Sequence, residues 1–400
     1  MAGIFGAVAC GAGPAAADDG PLVIRWSSGA PELQSADGVF RLRPRARLQL
    51  DGALTGDSAF TARNRSGVEV RSLQLGFEAA VDDISLAFAA DLANHQTNIR
   101  NAYVAWRGRT PAGDLEVNLG NRLTDRGVEG SASTQTSPFL ERNVVASALA
   151  PLKGAYGLGV TARLYGENWR LAAQVAGDDI NDPALTRDTV TTTVRGHWNP
   201  VRTEALTVHL GAWGYYENFS GRVTRLTRNT AWGGQHFNSA LQVSLGLLQQ
   251  PRHGEGYGVE LGVVSGPGWS FVEYGRREIA AQPSHASIEA WSASAGWFLT
   301  GEHPLYAPRN GVFTRMRPDR PVSAGGGGAL ELTGRIEHLD NTDAPQGGRG
   351  DAATLGVSWR PEEWLRLTLN ASGWKTDARA GAFKGRDDGE SVTTRLQLAF

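Results

Sequence analysis

The 400-residue chain is poor in lysine, in cysteine and in long apolar runs, and each shortage narrows what it can be. Lysine occurs only at Lys153, Lys375 and Lys384, so nearly all of the 39 basic residues are arginine. Arginine presents a fixed fork of donors suited to oxyanions, whereas lysine acts as a point charge. The formal net charge of −2 gives no reason to expect nucleic acid as a partner, so where the arginines sit matters more than their sum. A lone cysteine, Cys10, rules out an intramolecular disulfide. No segment supplies the roughly 18 apolar residues of a membrane-spanning helix. A transmembrane β-barrel escapes that test, and the mean hydropathy of −0.29 as well, because its lipid-facing residues come in alternation. The eight histidines are scattered without metal-ligand spacing, and no nucleophile elbow, phosphate loop or zinc ribbon occurs. The expectation is no metal, no cofactor and no enzyme activity.

What is present is a period of two. From Phe40 to Leu50 the even positions are Phe40, Leu42, Pro44, Ala46, Leu48 and Leu50, and the odd ones are Arg41, Arg43, Arg45, Arg47 and Gln49. On a strand these sets point to opposite faces, one oily and one cationic. Pro44, which cannot donate to a ladder, predicts a bulge or an unpaired position. The alternation recurs at 156–164, 169–175, 190–198, 330–337, 354–360, 365–370 and 392–400. Short connections near 82–83, 108–113, 166–168, 199–203, 266–268 and 361–363 alternate with long ones at 121–153, 218–253 and 375–389. Outer-membrane barrels have this arrangement of short periplasmic turns and long external loops. Trp106, Trp169, Trp198, Trp269, Trp359 and Trp364 flank the short turns, where a periplasmic aromatic girdle would lie. The pattern predicts an all-β transmembrane antiparallel barrel of sixteen strands over 39–400, with 121–153 as a long external loop and 300–328 as a long periplasmic connection. A strand in 236–248 would raise the count to eighteen. An apolar run over Ile4–Ala12 followed by Ala15-Ala16-Ala17 predicts a signal peptide over 1–17, atypical in having no basic residue before Arg25, and 18–38 reads as an N-terminal periplasmic segment.

Four stretches carry a family resemblance. Gly296-Trp297-Phe298-Leu299-Thr300-Gly301-Glu302 resembles a signature of the phosphate-selective porin O and P family. Phe139-Leu140-Glu141-Arg142, with Ala150-Pro151 and Gly157-Leu158-Gly159-Val160, resembles its third loop, while Arg41–Asp51 and Thr393–Phe400 resemble its opening and closing strands. The resemblance implies a sixteen-stranded homotrimer in the bacterial outer membrane, with loops folded into each lumen and arginine ladders drawing anions inward. It also implies a lysine in the constriction that favours phosphate. Here the loop holds only Lys153, at its descending end, and Asn101-Ala102-Tyr103-Val104 stands where the family has Asp-Ala-Tyr-Val.

The expected partners are therefore outer-membrane lipids and small anions, phosphate among them, and the alternative is a general or organic-solute porin. Arg41, Arg43, Arg45 and Arg47 are the sharpest candidates. On the lipid face each would cost about 2–4 kcal/mol near the midplane, so they should face a wet bore. By the resemblance 121–153 is the constriction, and Arg122, Arg126, Arg142 and Lys153 are expected in it. By the resemblance, Arg222, Arg225 and Arg228 join the anion path from the fifth external loop. Arg163, Arg170, Arg195, Arg335, Arg366 and Arg395 face the lumen by phase, as do Glu116, Glu260, Glu331 and Glu337.

Overall fold

A computed structural model describes residues 22–27, 30–93, 96–182, 189–282, 284–304 and 306–400. The signal-peptide expectation lies outside these residues. The chain opens with short strands β1 (Val23–Ser27) and β2 (Ala30–Gln34). The wall then runs β3 (Phe40–Gly56), β4 (Ser66–Val81), β5 (Ile84–Asp91), β6 (Asn98–Thr110), β7 (Gly113–Leu123), β8 (Tyr156–Tyr165), β9 (Trp169–Ala176), β10 (Val190–Arg202) and β11 (Leu206–Asn218). After β12 (Arg225–Ala231) and β13 (Gln242–Gln249), the wall resumes with β14 (His253–Ser265), β15 (Gly268–Ala280) and β16 (His285–Phe298). β17 (Tyr306–Ala307) and β18 (Val312–Phe313) precede the last four wall strands, β19 (Ala329–Asp340), β20 (Arg349–Glu362), β21 (Leu365–Ala378) and β22 (Gly385–Ala399).

Every wall neighbour pairs antiparallel, and β22 closes on β3 through Leu396↔Leu50 and its flanking pairs. Eighteen strands share the sheet; β1 and β2 lie outside the ring, leaving the expected sixteen in the wall. β12 and β13 pair only with each other, which is why the strand near 242–249 does not raise the count. The loop expected over 375–389 is shorter, because β21 and β22 continue their ladder from Gly373↔Glu390 up to Ala378↔Gly385. The polar side chains there still satisfy a strand above the apolar band, so alternation of oily residues stops before the hydrogen bonds do.

The two faces sort as the period demands. In β9, Trp169, Leu171 and Val175 are exposed, while Arg170, Ala172 and Gln174 are buried inside the ring. Trp106, Trp198, Trp297, Trp359 and Trp364 are likewise exposed outside near the short turns. Trp269 departs from expectation: it points inward, and its indole Nε1 donates to Glu331 at 2.8 Å. The adjoining Trp297 takes the outer position, because the cross-strand pair Gly268↔Trp297 puts Trp269 in the opposite phase.

At the periplasmic end β3 outlasts β22. Ala46 and Phe400 exchange both backbone hydrogen bonds, and below them Leu42 pairs with Leu33 of β2. Pro44 falls in the gap between these pairings, so its missing N–H costs nothing there.

Candidate functional site

Three segments fold into the bore. The first is the external loop 124–155, carrying the one-turn helix α1 (Val144–Ala148), which is capped by the Asn143 side chain. Buried charges of the wall hold it. Asp125 binds Arg163 at 2.6 Å and also Arg170, Glu129 binds Arg335, and Glu141 binds Arg71 at 2.8 Å and Arg395 at 2.9 Å. Backbone donors add to this: Val128 N reaches Glu273 and Leu152 N reaches Glu217, both at 2.6 Å. The second is the loop 219–252, whose Arg228 donates to the carbonyls of Ala150 and Pro151.

The third is the hairpin of β17 and β18 in the periplasmic connection, which turns up into the barrel. Tyr306 Oη lies 2.7 Å from His209 Nδ1, and Arg195 donates to the Gly311 carbonyl at 2.6 Å. Pro308 O lies 2.9 Å from His197 Nε2. Val128 and Phe139 of the external loop join Phe271, Phe298, Tyr306 and Phe313 in one apolar cluster. The external loop and the periplasmic connection therefore meet inside the lumen.

Beside this filling a cavity of about 870 Å³ runs along β6, β7, β8 and β9. Six arginines line it, Arg107, Arg109, Arg122, Arg163, Arg170 and Arg309, against the four carboxylates Asp83, Asp114, Glu116 and Asp125. The lining thus carries two surplus positive charges. Arg163 and Arg170 are buried and tied to Asp125, whereas Arg107, Arg109 and Arg309 are 59%, 96% and 51% exposed. Tyrosine rings brace several guanidiniums: Arg122 lies 4.5 Å from the Tyr103 ring centre and Arg309 lies 4.7 Å from that of Tyr165.

The arginine row of β3 divides. Arg47 is buried in the lumen, where it donates to Ser72 at 3.2 Å and to Ser133 and Thr134 of the external loop at 3.1 and 3.3 Å. Arg45 pairs with Glu78 at 2.8 Å, Arg43 pairs with Glu32 of β2, and Arg41 is exposed beside the β2 pairing. These three lie below the end of β22, because β3 extends past its partner. Of the loop residues, Arg122 lines the cavity and contacts Glu116 at 3.0 Å. Arg126 is spent on the carbonyls of Val145 and Ala146, and Arg142 on those of Glu129 and Ala132. Lys153 donates to Thr124 Oγ1 at 2.7 Å and Tyr156 O at 3.1 Å. Arg222 and Arg225 are exposed on the 219–252 loop, and Arg228 is half-buried.

Arg107 and Arg109 are lining residues that the sequence reading passed over. They alternate with Trp106, but a register shift between Ala89 and Ala90 of β5 offsets the pairing of β6 and obscures its phase. Arg309 sits in a turn, where no periodicity marks it.

The loop charges respond to burial and to one another. Burial pushes the Asp125 carboxyl up, but Arg163 and Arg170 outweigh it and hold the group well below its usual range. Glu141 behaves likewise, burial being overcome by Arg71 and Arg395. Lys153 has no comparable partner, and burial, helped by nearby Arg126, lowers its ammonium to about 7.

A closed barrel with inward loops suits several classes of outer-membrane protein, and sequence comparison separates them. The model of the phosphate-selective porin O and P family matches residues 33–400. The chain belongs to that family. It is an outer-membrane porin, and its place is the bacterial outer membrane. A Caulobacter vibrioides protein is 26% identical over 373 residues, which cover 89% of this porin and 72% of that protein. Among solved structures, OmpT, an outer membrane protein of Vibrio cholerae, superposes with a TM-score of 0.56 at 12% identity over 90% of this chain and 98% of its own. The anion-selective porin from Comamonas acidovorans gives 0.54 at 14% over 90% and 100%, and Pseudomonas putida OprB gives 0.55 at 9% over 91% and 95%. At these identities the likeness is one of fold.

Proposed function

We propose that this porin passes small anions, phosphate among them, by passive diffusion along an arginine-lined path. The carrying observation is the cavity in which six arginines face four carboxylates. Fixed positive charge along a wet bore favours anions, provided that binding stays weak enough for release. In this reading Arg222 and Arg225 gather anions at the external mouth and Arg122 meets them in the lumen, where Arg47, covered by Ser133 and Thr134, adds its charge without contact. Arg41, Arg43 and Arg45 meet them at the periplasmic rim, while Arg126, Arg142, Arg228 and Lys153 hold the loops that narrow the passage. No covalent chemistry is involved. Residues 1–17 act as the export signal, 121–153 forms the constriction, and the working unit is a homotrimer. A trimer form among the similar folds and the family membership support that assembly.

The test is a reversal-potential measurement in planar bilayers under a potassium chloride gradient, repeated with phosphate. Chloride should permeate well ahead of potassium. Removing one charge about 8 Å from the permeant ion, in water, changes its energy by about 0.5 kcal/mol, so Arg122→Gln should lower the preference roughly two-fold. A cation-preferring or unselective wild-type channel would defeat the proposal.

A further inference from the structure

The Arg126 and Arg142 guanidiniums are committed to backbone carbonyls, and Lys153 to Thr124 and Tyr156. The freest guanidiniums along the cavity lie lower, where β6, β7 and the periplasmic connection meet. Arg107 and Arg109 alternate on one face of β6, which sets them about 7 Å apart. Arg309 reaches in from the connection. Asp114 stands between two of them, 4.0 Å from Arg109 and 2.5 Å from Arg309. Arg107 has Glu116 at 3.0 Å. Exposed ion pairs of this kind are worth little, so a carboxylate or phosphate arriving from solution competes with Asp114 on nearly even terms. Tyr165 keeps the Arg309 guanidinium aimed at the cavity while its partner changes.

We propose that this vestibule is a binding station for organic polyanions carrying two or three negative groups on one skeleton, with Arg107, Arg109 and Arg309 as its receptors. The proposal rests on the anion-path reading and narrows it to a solute class. Three lines of argument favour a polyanion over a single inorganic ion. The volume of about 870 Å³ is that of a small-molecule pocket and far exceeds one ion. Arg107 stands about 7 Å along β6 from Arg109, which shares Asp114 with Arg309, so one skeleton with separated charges can engage the two positions at once. The surplus of two positive charges in the lining is neutralised by one dianion. Each contact stays weak, which allows the solute to leave.

The experiment uses the purified full porin in planar bilayers, with chloride current recorded while citrate, inorganic phosphate or acetate is added to the periplasmic side at matched ionic strength. Citrate should reduce the chloride current at millimolar concentration, with phosphate needing about ten-fold more and acetate without effect. Arg309→Gln should weaken the citrate block at least ten-fold while lowering chloride preference only about two-fold, and Arg309→Lys should restore part of the block. Phosphate blocking as well as citrate, or a citrate block unchanged in Arg309→Gln, would overturn the station. Should Arg309→Gln fail to assemble, as judged by its heat-modifiable mobility on gels, Arg107→Gln is held to the same ten-fold criterion. If the wild type prefers chloride yet citrate does nothing, the station alone is lost. A wild type without anion preference removes the anion-path reading as well.

Discussion

Asp125 offers a sharp test of how the inward loop is held, because one buried carboxylate serves two guanidiniums of the wall. In Asp125→Asn the shape is kept and the charge is lost. Arg163 retains Glu116 at 3.0 Å, but Arg170 is left with the carbonyl of Asn310 at 2.8 Å. A hydrogen bond to an ionised partner contributes about 1.5–3 kcal/mol, against about 0.5–1.5 for a neutral pair. Two such downgrades cost about 2–3 kcal/mol, short of the roughly 3–5 expected when a buried ion pair is broken outright. The urea midpoint of detergent-solubilised barrel should fall accordingly. The lining meanwhile goes from two surplus positive charges to three, so chloride preference in bilayers should rise about two-fold by the same Coulomb reasoning. Arg170→Gln in the same chain should recover part of the stability and reverse the gain in selectivity, since it removes the stranded charge. The double-mutant cycle isolates the pair from the rest of the loop. If Asp125→Asn matches wild type in both midpoint and reversal potential, the loop is not anchored through this carboxylate.

Two further outcomes follow from local geometry. Gly311 has φ +62°, and a Cβ there would lie 2.5 Å from His197 Nδ1, so Gly311→Ala should lift the tip of the periplasmic connection from the wall and raise single-channel conductance; His197→Ala in the same chain should relieve the clash, and unchanged conductance in Gly311→Ala would show that the tip does not narrow the path. Lys153 titrates near 7 in the folded chain against about 10.4 when unfolded, so the unfolded chain binds the extra proton between these values and stability should rise with pH across that window, the burial penalty being complete below about 7. Lys153→Met should therefore flatten the urea midpoint between pH 6.5 and 9.5, roughly the span of that window, and parallel slopes for the two proteins would refute the assignment.

The alternation of oily and polar residues was enough to predict the wall. Each pair of faces, as in Trp169 and Leu171 against Arg170 and Gln174, has one arrangement that keeps guanidiniums out of lipid, and short turns between such strands leave a closed ring as the consistent fold. The inward phase of Arg163, Arg195 and Arg395 was legible for the same reason. Which arginines remain open to a solute was not legible, because that depends on the partners supplied by distant segments. Arg47 is covered by Ser133 and Thr134, Arg43 is taken by Glu32, and Arg126 and Arg142 are consumed inside their own loop. Arg309 joins Arg107 and Arg109 only because the hairpin of β17 and β18 turns up into the barrel. Strand periodicity is a local property and can be read along the chain; occupancy of the lumen is a competition among segments far apart in sequence, and the tertiary structure decides it.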